Sequence, residues 1–161
     1  MTTPDRPGDD DPGRGRRLGL DVGTVRIGVA LSDPAGILAT PLETVAAEKG
    51  SGRRPGSEFT RILELAEENF VVEVVVGLPV TLRSRKTEST LRAENYAAAL
   101  REALGDVPVR LVDERMSTVA ATGAMRASGV SERKGRSRID QAAAVHILQG
   151  LLDARTARHR Q

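Results

Sequence analysis

One carboxylate in the middle of an apolar strand constrains this chain more than any other feature. In the stretch RLGLDVGTVRIGVALSD, Arg17 to Asp33, the apolar residues Leu18, Leu20 and Val22 alternate, and Asp21 falls between them. Gly23 and Thr24 permit a tight reversal, after which Val25, Ile27, Val29 and Leu31 alternate with small or polar residues. Period-two alternation on both sides of a glycine turn predicts a β-hairpin. A charge is kept in a buried strand only when it is paired, hydrogen-bonded or bound to a metal. Asp21 therefore requires partners, and the rest of the sequence has to supply them.

Ahead of the hairpin, residues 1–15 are rich in Asp, Pro, Gly and Arg, carry no apolar pattern, and predict a disordered lead-in. A third strand is expected over Gly36–Val45, where Pro41 points to an edge or a bulge. Ser57 is expected to cap a helix striped by Phe59, Ile62, Leu63, Leu65 and Ala66 up to Asn69. Val71–Val76 is β-branched and nearly all apolar, as a central strand covered on both faces would be, and Gly77-Leu78-Pro79 ends it. A second helix, capped by Thr87 or Ser89, carries Leu91, Ala98, Leu100 and Leu104. Another strand runs over Val107–Val112 and is ended by Asp113-Glu114-Arg115. A third helix is expected from Ser117 to Ser128, a basic loop over Gly129–Arg138, and a last helix over Ile139–Ala154.

The order β-β-β-α-β-α-β-α-α implies one α/β domain over 16–154 and a basic tail over 155–161. Its mixed five-stranded sheet would have three antiparallel strands, then two parallel ones, with helices on both faces. That is the pattern of the ribonuclease H-like fold. A chain of 161 residues suits a single core.

Composition removes several kinds of chemistry. There is no cysteine and there are two histidines, which leaves no disulfide, thiolate site or Cys nucleophile and argues against a His-rich zinc site. No apolar run spans a bilayer and no signal-peptide core is present, so a cytoplasmic protein without a membrane partner is expected. Net charge is only +2, but basic residues cluster at Arg83–Lys86, Arg133–Arg138 and Arg155–Arg160, and local basic patches are what a phosphate backbone meets.

Two further acids occupy special places. Glu114 follows the strand Val107–Val112, and Asp140 opens the last helix on the stripe shared with Ala143 or Ala144, Ile147 and Leu151. Three converging carboxylates make a hard, all-oxygen site suited to Mg²⁺ or Mn²⁺. Two such ions can hold a phosphodiester for in-line attack. Each acid also has a plainer reading: an Asx-turn onto Gly23 and Thr24 for Asp21, an ion pair with Arg115 for Glu114, and a favourable helix-dipole position for Asp140. Alternation places Asp113 and Glu114 on opposite faces, and spacing alone leaves both open, with Glu114 preferred.

The hairpin LGLDVGTVRIGVALSD, the exit VVVGLPV, the segment PVRLVDERMSTVAA and the helix start IDQAAAVHILQ resemble, in this order, the YqgF/RuvX family over residues 17–153. Its members are described as Holliday junction resolvases or as nucleases that mature the small-subunit ribosomal RNA precursor, with a ribonuclease H-like fold similar to RuvC. The resemblance implies an acidic metal-binding and catalytic set at Asp21, Glu114 and Asp140. The family's Gly-Leu-Pro exit is met at Gly77, Leu78 and Pro79. Its Asp-Glu-Arg-Leu-[Ser/Thr]-Thr is met at Asp113–Thr118 with Met116 for Leu, and its Lys-x-x-[Val/Ile]-Asp at Arg136, Ile139 and Asp140. Where the family often has Asn-Met-Asp-Gly-Thr-Glu, this chain has a basic loop, Thr81–Glu88.

The expected function is a Mg²⁺- or Mn²⁺-dependent endonuclease on structured nucleic acid. The substrate would be a ribosomal RNA precursor within a ribosomal subunit precursor, or branched DNA. The protein would be a monomer or homodimer. Arg83, Arg85 and Lys86, with Arg133, Lys134, Arg136 and Arg138, would grip phosphates on either side of the carboxylates. Tyr96 reads as packing on its helix, and Phe59 and Phe70 read as core, so base stacking is not the expected recognition mode. Two alternatives stand beside this reading. One is a non-catalytic nucleic-acid-binding or ribosome-assembly factor. The other is an actin- or sugar-kinase-like phosphotransferase using Asp21-Val22-Gly23-Thr24 as a phosphate loop.

Overall fold

A computed structural model describes residues 11–47, 57–79, 87–114 and 132–159, with the side chains of the last segment described over 139–157. Its elements are β1 (Arg17–Val22), β2 (Arg26–Ser32), β3 (Ala39–Ala46), α1 (Glu58–Glu68), β4 (Glu73–Leu78), α2 (Glu88–Leu104), β5 (Val109–Asp113) and α3 (Glu132–His159). The strands form one sheet in the order β3-β2-β1-β4-β5. β1 pairs antiparallel with β2 and β2 with β3, while β4 runs parallel to both β1 and β5. Pro41 lies on an edge strand, and the pairing shifts register there: Val29 faces Glu43 while Ala30 faces Pro41, so Leu42 is the extra residue of a bulge.

Strand alternation divides the core in two. Leu18, Leu20, Ile27, Val29, Val74, Val76 and Leu111 point to the face covered by α1 and α2. Ala30, Val75 and Val112 point to the other face, where Ala144, Ile147, Leu148, Leu151 and Leu152 of α3 cover them. The α3 side of the sheet is built of small residues, and three glycines set how closely the helix lies. A Cβ on Gly19 would stand 2.8 Å from the Leu148 Cβ, one on Gly28 1.9 Å from the Asp140 carbonyl oxygen, and one on Gly77 2.5 Å from the Ile147 Cδ1.

Several local expectations shift. α3 begins at Glu132, so the segment expected as a basic loop up to Arg138 is helical from 132 onward. Its charged residues are good helix formers, and polarity alone had marked it as a loop. Ser57 sits in helical backbone and its side chain makes no capping bond. Thr87 does cap α2, accepting from Thr90 N–H at 3.2 Å. The buried face of α2 is Thr90, Ala93, Tyr96, Ala97 and Leu100; Leu91 and Ala98 are exposed, because the small residues at 93 and 97 seat the helix instead. Phe59 packs edge-on against Tyr96. Phe70 is not core: it is 86 % exposed. The helix expected over Ser117–Ser128 and the lead-in over 1–10 lie outside the described residues. Residues 11–15, by contrast, are tied to the sheet through Gly15 N–H to Pro34 O at 2.8 Å and an Asp11–Arg17 ion pair at 2.8 Å.

At the amino ends of the parallel strands, Glu73 is fully buried. Arg155 grips it through two hydrogen bonds, 2.5 and 2.7 Å, while Arg110 Nε donates at 3.0 Å and Arg17 Nε at 3.3 Å. Burial alone would push this carboxyl up; the bonds and charges of Arg155, then Arg110 and Arg17, overcome it and hold the group below the usual carboxylate range. Arg155, expected to start a basic tail, is instead a buried residue of α3 that fastens the helix to the sheet. Glu73→Gln removes the buried charge that Arg17, Arg110 and Arg155 share. It should cost about 3–5 kcal/mol, read in calorimetry as a Tm lower by about 10 °C.

Candidate metal and nuclease site

Asp21, half-buried, directly follows the buried part of β1, and its register partner on β2 is Gly28. With no side chain at 28, the backbone of α3 at Asp140 settles there and brings Asp140 beside Asp21. On the other flank β5 ends at Asp113 and the next residue, Glu114, lies on the α3 face, its Cγ 3.0 Å from where a Gly77 Cβ would be. Asp113 follows Leu111 on the opposite face. Alternation therefore selects Glu114 as Asp21's neighbour.

Asp21 and Glu114 share a side-chain hydrogen bond. Burial, then repulsion from Asp21, then that hydrogen bond push the Glu114 carboxyl up to about 7. Burial also raises Asp21; the Glu114 bond works against the rise and the charge on Asp140 adds to it. The shared hydrogen bond raises Glu114 and lowers Asp21, so a proton between them is favoured on Glu114. The amide of Gly23 is taken by the Arg26 carbonyl at 3.0 Å, so the Asx-turn onto Gly23 is not made.

Asp140 is not at the start of its helix but about two turns inside. A dipole role is thereby removed, since that effect fades within the first turn. Its carboxylate accepts from Arg26 Nε at 2.6 Å. As they stand, no three acidic or histidine side chains among the described residues enclose a single ion. Two of the three expected acids are in contact; the third is near enough to act on Asp21 electrostatically but is held by an arginine.

Arg26 was not anticipated from the sequence. The signal was present, because Arg26 and Gly28 alternate onto the same face of the hairpin as Asp21. Arg83, Arg85 and Lys86 lie outside the described residues. Arg133, Lys134, Arg136 and Arg138 lie on α3 ahead of Asp140, with their side chains outside the described part.

The donor set fits a hard divalent cation. It consists of carboxyl oxygens alone, and burial with mutual repulsion disfavours the charged forms of Asp21 and Glu114. A cation would offset that cost.

Comparison with known proteins finds relatives by sequence and by structure. The RuvX family, described as Holliday junction resolvase, matches residues 15–154. A protein of Corynebacterium jeikeium named "Putative pre-16S rRNA nuclease" is 63% identical over 145 residues, covering 90% of each chain. One of Mycobacteroides abscessus with the same name is 58% identical over 153 residues, 95% of this chain and 90% of that one. Among solved structures, T. thermophilus RuvC in complex with Holliday junction substrate superposes with a TM-score of 0.55 at 21% identity, over 90% of this chain and 96% of that one. The yeast mitochondrial Holliday junction resolvase Ydc2 gives 0.50 at 12%, over 92% and 82%. These structural likenesses show the fold, a mixed sheet of the ribonuclease H-like class.

Two measurements probe the geometry. Glu114 ionises less readily folded than unfolded, so its contribution to stability is complete below its ordinary value near 4.5 and lost as pH rises through about 7. Metal-free protein should lose Tm over that interval, and Glu114→Gln should flatten the loss. Gly28→Ala drives a methyl into the backbone of α3, so it should lower stability by about 1–3 kcal/mol or more in denaturant titration.

Proposed function

The chain belongs to the RuvX family, and on that footing we propose that it is a metal-dependent endonuclease hydrolysing phosphodiester bonds in structured nucleic acid. The observation that carries this reading is the hydrogen-bonded Asp21–Glu114 pair at the carboxyl ends of β1 and β5, with Asp140 beside it. Crevices beyond the carboxyl ends of parallel strands are where ligands settle in such sheets.

Asp21, Glu114 and Asp140 are the proposed metal-binding and catalytic residues. When bound, Mg²⁺ or Mn²⁺, as a two-ion set, supplies the Lewis acidity that polarises the phosphodiester and makes hydroxide available at neutral pH. Asp21 is fixed in a strand and Glu114 immediately follows one, so their oxygens are positioned by rigid backbone. Asp140 would be the third residue to hold the ion, by giving up its contact with Arg26, whose guanidinium could then meet a phosphate oxygen. Ile147, packed beneath Gly77, closes the floor of the site with hydrocarbon. Arg83, Arg85, Lys86, Arg133, Lys134, Arg136 and Arg138 are proposed to hold the phosphate backbone on either side.

The favoured substrate is the precursor of 16S ribosomal RNA, handled in the cytoplasm within ribosomal subunit precursors. Support comes from the name carried by relatives that share more than half their residues with this chain. No helix among the described residues is long and apolar enough to cross a membrane. A four-way DNA junction is the second substrate, and symmetric cleavage of it would call for a homodimer rather than a monomer.

The Arg26–Asp140 ion pair is the one feature that favours a non-catalytic assembly factor. Cleavage of a matched RNA precursor and four-way junction, with Mg²⁺ or Mn²⁺, decides between the two. Asp21→Asn should reduce the rate by more than about 10²-fold without lowering Tm. Unchanged cleavage by that variant, in protein freed of host nucleases, would remove the assignment.

A further inference from the structure

Features that an isolated surface avoids meet at one corner of the molecule. Helix α1 ends in a Schellman turn, with Phe70 N–H donating to Glu67 O at 3.2 Å and Val71 N–H to Ala66 O at 3.0 Å. The turn places residue 70 in the left-handed region, φ +50°, where glycine is the usual occupant because a Cβ is penalised. Here the residue is phenylalanine, and it stands out in solvent. The last turn of α1 carries Glu67 and Glu68 and no basic residue, although the helix dipole there favours a cation.

Beside Phe70 an apolar groove of about 490 Å³ runs between the ends of α1 and α2, lined by Leu63, Ala66, Val71, Leu104 and Val107. Leu63, Leu104 and Val107 also pack on the larger core, so the floor is anchored. Its surroundings are acidic: Glu67 lines it, and Glu68, Glu102 and Asp106 are exposed on the adjoining turns. The nearby cations already have partners. Arg61 is shared by Glu43, Glu64 and Glu68, and the Arg101 guanidinium donates to the Val109 carbonyl.

We propose that this corner is a docking site for a basic amphipathic segment of a protein partner, with Phe70 as the anchor. The apolar side of the segment covers the ring and the groove, and its lysines or arginines meet the acidic rim and the two helix ends. Charge complementarity selects this occupant over a second copy of the chain, which would bring two acidic rims together. The corner precedes β4 and β5, at the opposite end of the sheet from Asp21 and Glu114, so a docked partner leaves the carboxylate end open.

The test uses Phe70→Gly, in which glycine takes the backbone conformation that phenylalanine resists. Its Tm should equal or exceed that of the parent, and its nucleic-acid cleavage should be unchanged. The probe is a synthetic amphipathic helix of Leu and Lys, compared with a Leu–Glu counterpart by fluorescence anisotropy. The parent should bind the Leu–Lys helix and not the Leu–Glu helix, with affinity falling as salt rises. Phe70→Gly should bind at least about tenfold more weakly. Failure of the parent to bind, equal binding by both proteins, or a parent dimer in sedimentation that Phe70→Gly dissolves would each overturn the proposal.

Discussion

The close seat of α3 on a glycine-lined face of the sheet is the contact on which the rest of the structure depends. Gly19, Gly28 and Gly77 fall on three neighbouring strands, and at each a methyl group would collide with the helix. Removing Cβ atoms there lets backbone approach backbone, which a sheet of valines on this face would prevent. The consequence reaches the chemistry directly, because the residue whose carbonyl rests over Gly28 is Asp140. The same glycine spacing that allows the helix to pack therefore sets the distance between the third acid and the first two.

Charge is arranged with opposite sense at the two ends of this helix. At the far end Arg155 brings a cation to Glu73, deep in the protein, and the ion pairs among Glu73, Arg17, Arg110 and Arg155 are closed within the fold. Buried ion pairs of this kind add little net stability, but losing one partner is costly, so they fix the register of the elements they join. At the near end, acids gather faster than cations do. Arg26 answers Asp140, while burial and their neighbouring carboxylates push Asp21 and Glu114 up. One end is a settled clamp; the other is an electrostatic demand that an external cation can meet. Proteins commonly concentrate such unsatisfied demand where they work.

Much of this was legible from residues alone. The glycine-hinged hairpin, the β-branched central strand and the proline-marked edge follow from alternation and backbone sterics, and the sheet has that form. Asp21 announced itself because a lone charge in an apolar strand is expensive. Other parts were hidden for physical reasons. Helix formers rich in Arg and Lys look like a loop when polarity is the guide, so α3 gained residues at both ends. Arg155 looked like tail because its partner, Glu73, is distant in sequence and itself sat inside an apolar run. Phe70 looked like core because sequence shows that a residue is apolar, not which way a left-handed turn will aim it. The grouping of Arg26 with Asp140 depended on helix docking, which no local pattern encodes.

The central claim is that Asp21, Glu114 and Asp140 together receive divalent cations. Anomalous diffraction from crystals grown with Mn²⁺ tests it most directly. The account predicts anomalous peaks between Asp21 and Glu114, with Asp140 turned from Arg26 toward them. Mn²⁺ bound elsewhere, with the Asp21–Glu114 hydrogen bond and the Arg26–Asp140 pair both intact at saturating metal, would contradict it.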